Sequence, residues 1–159
     1  MAATKTWWRR FLGGDDARSS ALDILCQRFV SEKQNALRYI QQAERMQYPQ
    51  FRDALTRLAA EEEKHADALA AKITSLGGRV PDVRPGHVST EQNSWYYIKA
   101  DLEEEQRGAD ELQDQLPAVA ADFPDIAELL ERIESDGKRH RAQLRDMLVR
   151  SDPQSLGPP

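Results

Sequence analysis

One cysteine stands alone in 159 residues, so no internal disulfide can form, and a reducing cytoplasm is the simplest setting for the chain. Basic charge is also short. Lys and Arg number 22 against 27 Asp and Glu, for a formal charge of −5 and a pI near 5.3. No basic face large enough for nucleic acid is evident, so nucleic acid is not expected as a partner. Long apolar runs are missing too. The start, from Met1 to Gly14, is apolar for only a few residues, holds no signal-peptide core and is too short to span a bilayer. Neither a phosphate-binding glycine loop nor a nucleophile–base pair is visible. Glycine and proline, 8 each, fall mostly at the two ends and between the helical stretches.

What remains suits a helical protein: 31% of residues are charged and 40% apolar, and the length fits one domain with a real core. Four stretches have helical periodicity. The first runs from about Ser19 to Met46, where Tyr48-Pro49 ends it. The second runs from about Pro49 to Leu76 and stops at Gly77-Gly78. The third starts near Ser94 and reaches at least Leu116, and Pro117 is expected to kink or break it. The fourth follows Phe123-Pro124 and ends near Arg150. The organisation is then a Trp-rich segment at 1–18, a helical domain at 19–150 and a Pro/Gly/Ser-rich tail at 151–159, expected to be disordered. In the first segment Trp7, Trp8, Phe11 and Leu12 flank Arg9 and Arg10. They suit docking on a membrane surface or a partner, and equally a first turn folded back on the helices.

Connection lengths set the topology. Few residues join the first helix to the second or the third to the fourth, so each pair is an antiparallel hairpin. Residues 77–93 form a long link containing Pro81, Pro85 and Gly86. A helix of this size is roughly 40 Å long at about 1.5 Å per residue. An extended linker at up to about 3.3 Å per residue can return the chain to the opposite end. The fold class is therefore all-α: an up-down-down-up four-helix bundle with one long crossover between helices 2 and 3, the ferritin-like arrangement.

The inward stripe of each helix, followed in alternating steps of three and four, is apolar at both ends and interrupted near its middle. The first reads Leu22, Leu25, Phe29, Glu32, Ala36, Tyr39, Ala43, Met46, and the second Phe51, Leu55, Leu58, Glu62, His65, Leu69, Lys72, Leu76. The third reads Trp95, Ile98, Leu102, Glu105, Ala109, Leu112, Leu116, Val119, and the fourth Ile126, Leu130, Ile133, Gly137, His140, Leu144, Met147. Glu32, Glu62, His65, Glu105 and His140 thus point inward at one depth. Burying several carboxylates together is prohibitive unless something cationic sits among them. Metal ions do that, with neutral imidazoles completing the coordination. A single Glu-x-x-His on a charged helix usually marks a solvated face, but four matching interruptions are hard to obtain by chance.

Specific segments resemble a known group. Phe29-Val-Ser-Glu32-Lys-Gln-Asn-Ala-Leu-Arg-Tyr39 resembles the first helix of bacterioferritins and rubrerythrins, di-iron carboxylate proteins of the ferritin-like superfamily. Ala60-Glu-Glu62-Glu-Lys-His65-Ala-Asp67, with Leu76-Gly-Gly78, is similar to their second helix and its exit. Tyr97-Ile-Lys-Ala-Asp-Leu-Glu-Glu-Glu105 resembles the bacterioferritin third helix, and Phe123-Pro-Asp-Ile-Ala-Glu-Leu-Leu-Glu-Arg-Ile133 reads more like a rubrerythrin. The resemblance covers roughly residues 20–148. It implies that Glu32 and His65 are terminal ligands of one iron, that Glu105 and His140 serve a second, and that Glu62 bridges them. Manganese or zinc suits the same donors.

Departures from those relatives narrow the reading. Gly137 matches the second bridging glutamate, and Asp136 lies about 100° round the helix from that position. Glu63 replaces the methionine of haem-binding relatives, so haem is not expected. There is no Cys-x-x-Cys for a rubredoxin-type domain, and Gly108 stands where rubrerythrins have an extra glutamate. No fifth helix follows, which places a storage shell in doubt, and a homodimer through the first two helices is expected instead. Two functions remain in view. One is Fe(II) oxidation, iron handling or reduction of oxygen or peroxide at an incomplete di-iron site, with Tyr39 near the centre as a catalytic candidate or a packed aromatic. The other is a degenerate, non-catalytic bundle serving as a structural or interaction module, in which Lys138 or Arg139 reaches inward to neutralise the carboxylates. His87, in the crossover, reads as a surface residue and Cys26 as a small buried hydrophobe.

Overall fold

The computed structural model of the chain describes residues 6–86, 93–152 and 154, with 6–14 described by their backbone alone. Four helices account for most of it: α1 (Thr6–Ala43), α2 (Pro49–Ser75), α3 (Ser94–Ala120) and α4 (Pro124–Val149). Helix α1 starts well before the expected Ser19, so the Trp-rich segment shares its backbone helix, while the side chains of Trp7, Trp8 and Phe11 lie outside the described residues. So does His87.

Local chemistry sets the helix ends. Pro49 and Pro124 occupy first-turn positions of α2 and α4, where a missing N–H breaks no helical bond. Asn93 caps α3 by accepting from the Tyr96 amide at 3.2 Å. Beyond the last residue of α2 the chain turns off at Gly77, whose φ of 72° suits glycine, and the Arg18 guanidinium donates to the freed Leu76 carbonyl at 2.7 and 3.0 Å. Pro117 neither breaks nor ends α3, which continues to Ala120; the one bond lost falls in the final turns, where carbonyls can turn to water.

Three contacts fix the topology. Arg18, near the start of α1, meets the end of α2. Lys72, late in α2, pairs with Asp125 at the start of α4 at 2.7 Å. The amide of Gln47, between α1 and α2, approaches Ser94 Oγ at the start of α3 at 3.4 Å. The link from α2 to α3 therefore runs the length of the bundle, and the order is up-down-down-up. Helix α1 packs mainly on α2 and α3 on α4, with α1 also touching α3 and α2 touching α4.

The apolar interior is in two parts. One cluster includes Leu25, Phe29, Leu69, Ile73, Leu112, Ile126 and Leu130. The other includes Tyr39, Met46, Phe51, Leu55, Leu58, Ile98 and Leu144. Between them lies a layer of buried polar side chains. One stripe position is corrected: Ile73, not Lys72, continues the core of α2, because the aligned face drifts at 3.6 residues per turn and lets Lys72 reach Asp125 at the surface. Among the described residues no helix is long and apolar enough to cross a membrane.

Candidate metal centre

Each helix contributes to the polar layer one turn from an apolar residue, so the side chains are delivered to one depth. Glu32, Glu62, Glu105 and His140 are buried, and the His65 side chain is 11% exposed. They form two sets whose donor atoms lie within 4.8 Å of one another: Glu32, Glu62 and His65, and Glu62, Glu105 and His140. Glu62 belongs to both. The structure thus brings together all five residues singled out from the sequence as metal ligands.

The imidazoles are oriented from outside. His65 turns Nδ1 toward Glu32 and Glu62, at 3.3 and 3.5 Å, while Nε2 meets Asp136 at 3.0 Å. His140 turns Nδ1 toward Glu62 Oε1, at 2.7 Å, while Nε2 meets Glu61 at 2.9 Å. Carboxylates behind a histidine fix its ring and raise its basicity, as behind metal-bound histidines generally. Sequence reasoning missed Glu61 in this role and placed Asp136 only as lying off the bridging position.

A second network steadies Glu105. Tyr39 donates to Glu105 Oε1 at 2.7 Å and Asn35 to the same oxygen at 3.4 Å. Arg38 holds Asn35 at 2.9 Å and Asp101 at 2.7 Å, and Gln42 also donates to Asp101, at 3.0 Å. Arg28, Asn35 and Asp101 were not foreseen. The available signal was their placement, since Arg28 precedes Glu32, and Asp101 precedes Glu105, by one helical turn.

Charge in this layer is carried by protons. Burial, then the charge of Glu62, pushes Glu32 up to about 8, and burial also raises Glu105 against the Tyr39 hydrogen bond. Burial works against ionised Glu62, but close contacts with Glu32, His140 and His65 prevail and hold it below the usual range. Burial likewise disfavours both imidazolium ions, yet close contacts with Glu32, Glu62 and Asp136 bring His65 to about 11, and those with Glu62 and Glu61 bring His140 to about 9. Both rings are therefore protonated at neutral pH in the metal-free protein.

The residues fit a metal on one observation in particular. Glu62 Oε1 and His140 Nδ1 are buried 2.7 Å apart, yet they are not aligned for a hydrogen bond and neither has another partner. Two donors converging on shared space rather than on each other are what a common cation requires. The cavity there, of about 30 Å³, is lined by both ligand sets and also by Arg28, Glu134, Gly137 and Arg141.

The expected inward cation is corrected. Lys138 is exposed, and Arg139, 63% exposed, pairs with Asp136 and Glu61 at the surface. Both point away because they flank His140 by one and two residues, off its face. Arg141 is the α4 cation that is buried, paired with Glu134 at 2.9 Å. Arg28 takes the space beside Gly108, donating to its carbonyl at 2.8 Å.

No curated protein sequence matches the chain. Among solved structures it is similar to the bacterioferritin of Desulfovibrio desulfuricans, described by its di-iron site, with 22% identity, a TM-score of 0.77, and 84% of this chain and 81% of that one covered. It is also similar to a ferritin-like di-iron-carboxylate protein of Bacillus anthracis, with 19% identity, a TM-score of 0.71, and 83% and 97% covered. These likenesses show the ferritin-like fold. The rubrerythrin family model matches residues 23–148, from the first turn beyond the Trp-rich segment almost to the end of α4. The chain belongs to the rubrerythrin family.

Proposed function

We propose that this protein binds iron between its helices and oxidises Fe(II) with oxygen or peroxide. Glu32, Glu62 and His65 would hold one ion and Glu62, Glu105 and His140 the other. Bound iron supplies the electrons, and the protein supplies geometry and exclusion of competing chemistry. Glu62, common to both sets, would offset charge on each side. Asp136 and Glu61 hold the outer ring nitrogens, which would leave the inner ones for the ions. Tyr39 fixes Glu105 through its hydroxyl and is a positioning residue in this reading. The misaligned contact of Glu62 Oε1 with His140 Nδ1 carries the proposal.

Anaerobic loading with Fe(II), elemental analysis per chain, and then consumption of oxygen or peroxide form the test. About two irons per chain, with oxidant consumed in proportion to Fe(II), is the expected result. No iron retained would overturn it.

A second reading, a degenerate bundle that acts as a structural or interaction module, is favoured by Gly137 and by the Arg141–Glu134 pair beside it. It predicts that a chelator leaves thermal stability unchanged. Pairing of two copies through α1 and α2 is part of the proposal and is tested by light scattering of the purified chain.

A further inference from the structure

Helix α2 delivers a carboxylate and a histidine three residues apart, Glu62 and His65, whereas α4 delivers only His140, with Gly137 at the matching place. Gly137 is buried, and a Cβ built on it would lie 3.8 Å from Glu105 Oε2, so this position opens directly onto the second ligand set. The space is not left to solvent. The same point is 3.2 Å from Arg141 Nη1 and 3.6 Å from Glu134 Oε2.

Residues 134, 137 and 141 share one face of α4. The Glu134 side chain is 14% exposed and lines the same cavity as the five ligands. Arg141 grips it unevenly: Nη2 donates to Oε1 at 2.9 Å, while Oε2, the oxygen near the gap, is 3.5 Å from Nη1. One oxygen is thus anchored and the other faces the place where α4 has no side chain.

We propose that Glu134 is a metal ligand, supplying from one turn earlier the carboxylate that α4 lacks at Gly137, with Arg141 as its positioning residue. The inference rests on the metal-binding reading above. The class of ligand this site takes is a divalent transition metal, bound by carboxylate oxygen and imidazole nitrogen.

The test is anaerobic titration of the full chain with Co(II), read by visible absorption and by stoichiometry, for the wild type, Glu134→Gln, and Glu134→Gln combined with Gly137→Glu. Circular dichroism checks that each variant is folded. The wild type is expected to take two ions, Glu134→Gln to bind the second at least tenfold more weakly, and the double variant to recover it. Matching titrations for the wild type and Glu134→Gln, at one ion or at two, overturn the role of Glu134 and leave the metal reading standing. No Co(II) bound by the wild type overturns both.

Discussion

Arg38 Nε donates to Asp101 Oδ1 at 2.7 Å across the interface of α1 and α3, and Asp101 is fully buried. The pair is linked through Asn35 to Glu105, so a charge that never touches the ligand clusters helps to hold one of their members.

Burial raises the Asp101 carboxyl to about 6 from its usual 3.8, despite Arg38 and Gln42. The folded state then binds more protons than the unfolded state between those two values. Its contribution to stability therefore falls as pH rises from about 4 to about 6, by at most ~3 kcal/mol. Asp101→Asn is expected to flatten this part of the profile, measured as urea midpoints from pH 4 to pH 7 against the wild type.

Tyr39 is fully buried and satisfies one oxygen of Glu105. Tyr39→Phe keeps the ring packed and removes only that donor, at an expected cost of about 1–3 kcal/mol for a buried acceptor left short. Urea denaturation measures it, and an unchanged midpoint would sink the assigned role.

Because Glu62 belongs to both ligand sets and Glu32 to one, their substitutions should differ in kind. Glu62→Gln is expected to abolish binding of both ions, and Glu32→Gln to remove one and leave the other. Isothermal titration with Mn(II) separates the two outcomes.

Metal entering the centre must displace protons from His65 and His140, whose folded values of about 11 and 9 keep both charged at neutral pH. Loading at pH 7 should acidify a weakly buffered solution. It should also stabilise the fold by about 2.7 kcal/mol when free metal is a hundredfold above Kd, and a chelator should reverse this. A pH-stat and a thermal melt are the two measurements.

Two glycines should respond oppositely to alanine. At Gly137 the new Cβ meets the tip of the flexible Arg141 side chain at 3.2 Å, so Gly137→Ala should gain up to about 1 kcal/mol of helix propensity. At Gly78 it would lie 2.5 Å from Leu22 Cδ2 and 3.0 Å from Ile73, both packed in the core, so Gly78→Ala should destabilise by about 1–3 kcal/mol. Thermal melts of the two variants decide between these signs.

Much of this was written in periodicity. Four stripes, two short turns and one long link were enough to give the bundle and its handover from α2 to α3. The interruptions at Glu32, Glu62, His65, Glu105 and His140 gave the polar layer. Such features are legible because they depend on spacing along one helix. The start of α1 at Thr6 was not, since the Trp-rich segment shows no clear stripe to distinguish a helix from a docked turn.

The partners behind the ligands were hidden for a different reason. Whether Arg139 or Arg141 points inward, whether Asp136 backs His65, and what fills the space at Gly137 depend on how α4 is rotated against α2 and α3. By itself the sequence determined a four-helix bundle with acids and histidines at its middle, because burial periodicity and connection length leave few alternatives. Only the tertiary structure decided which cation enters and which carboxylate faces the gap, because one residue's step round a helix turns a side chain through about 100° and exchanges core for solvent.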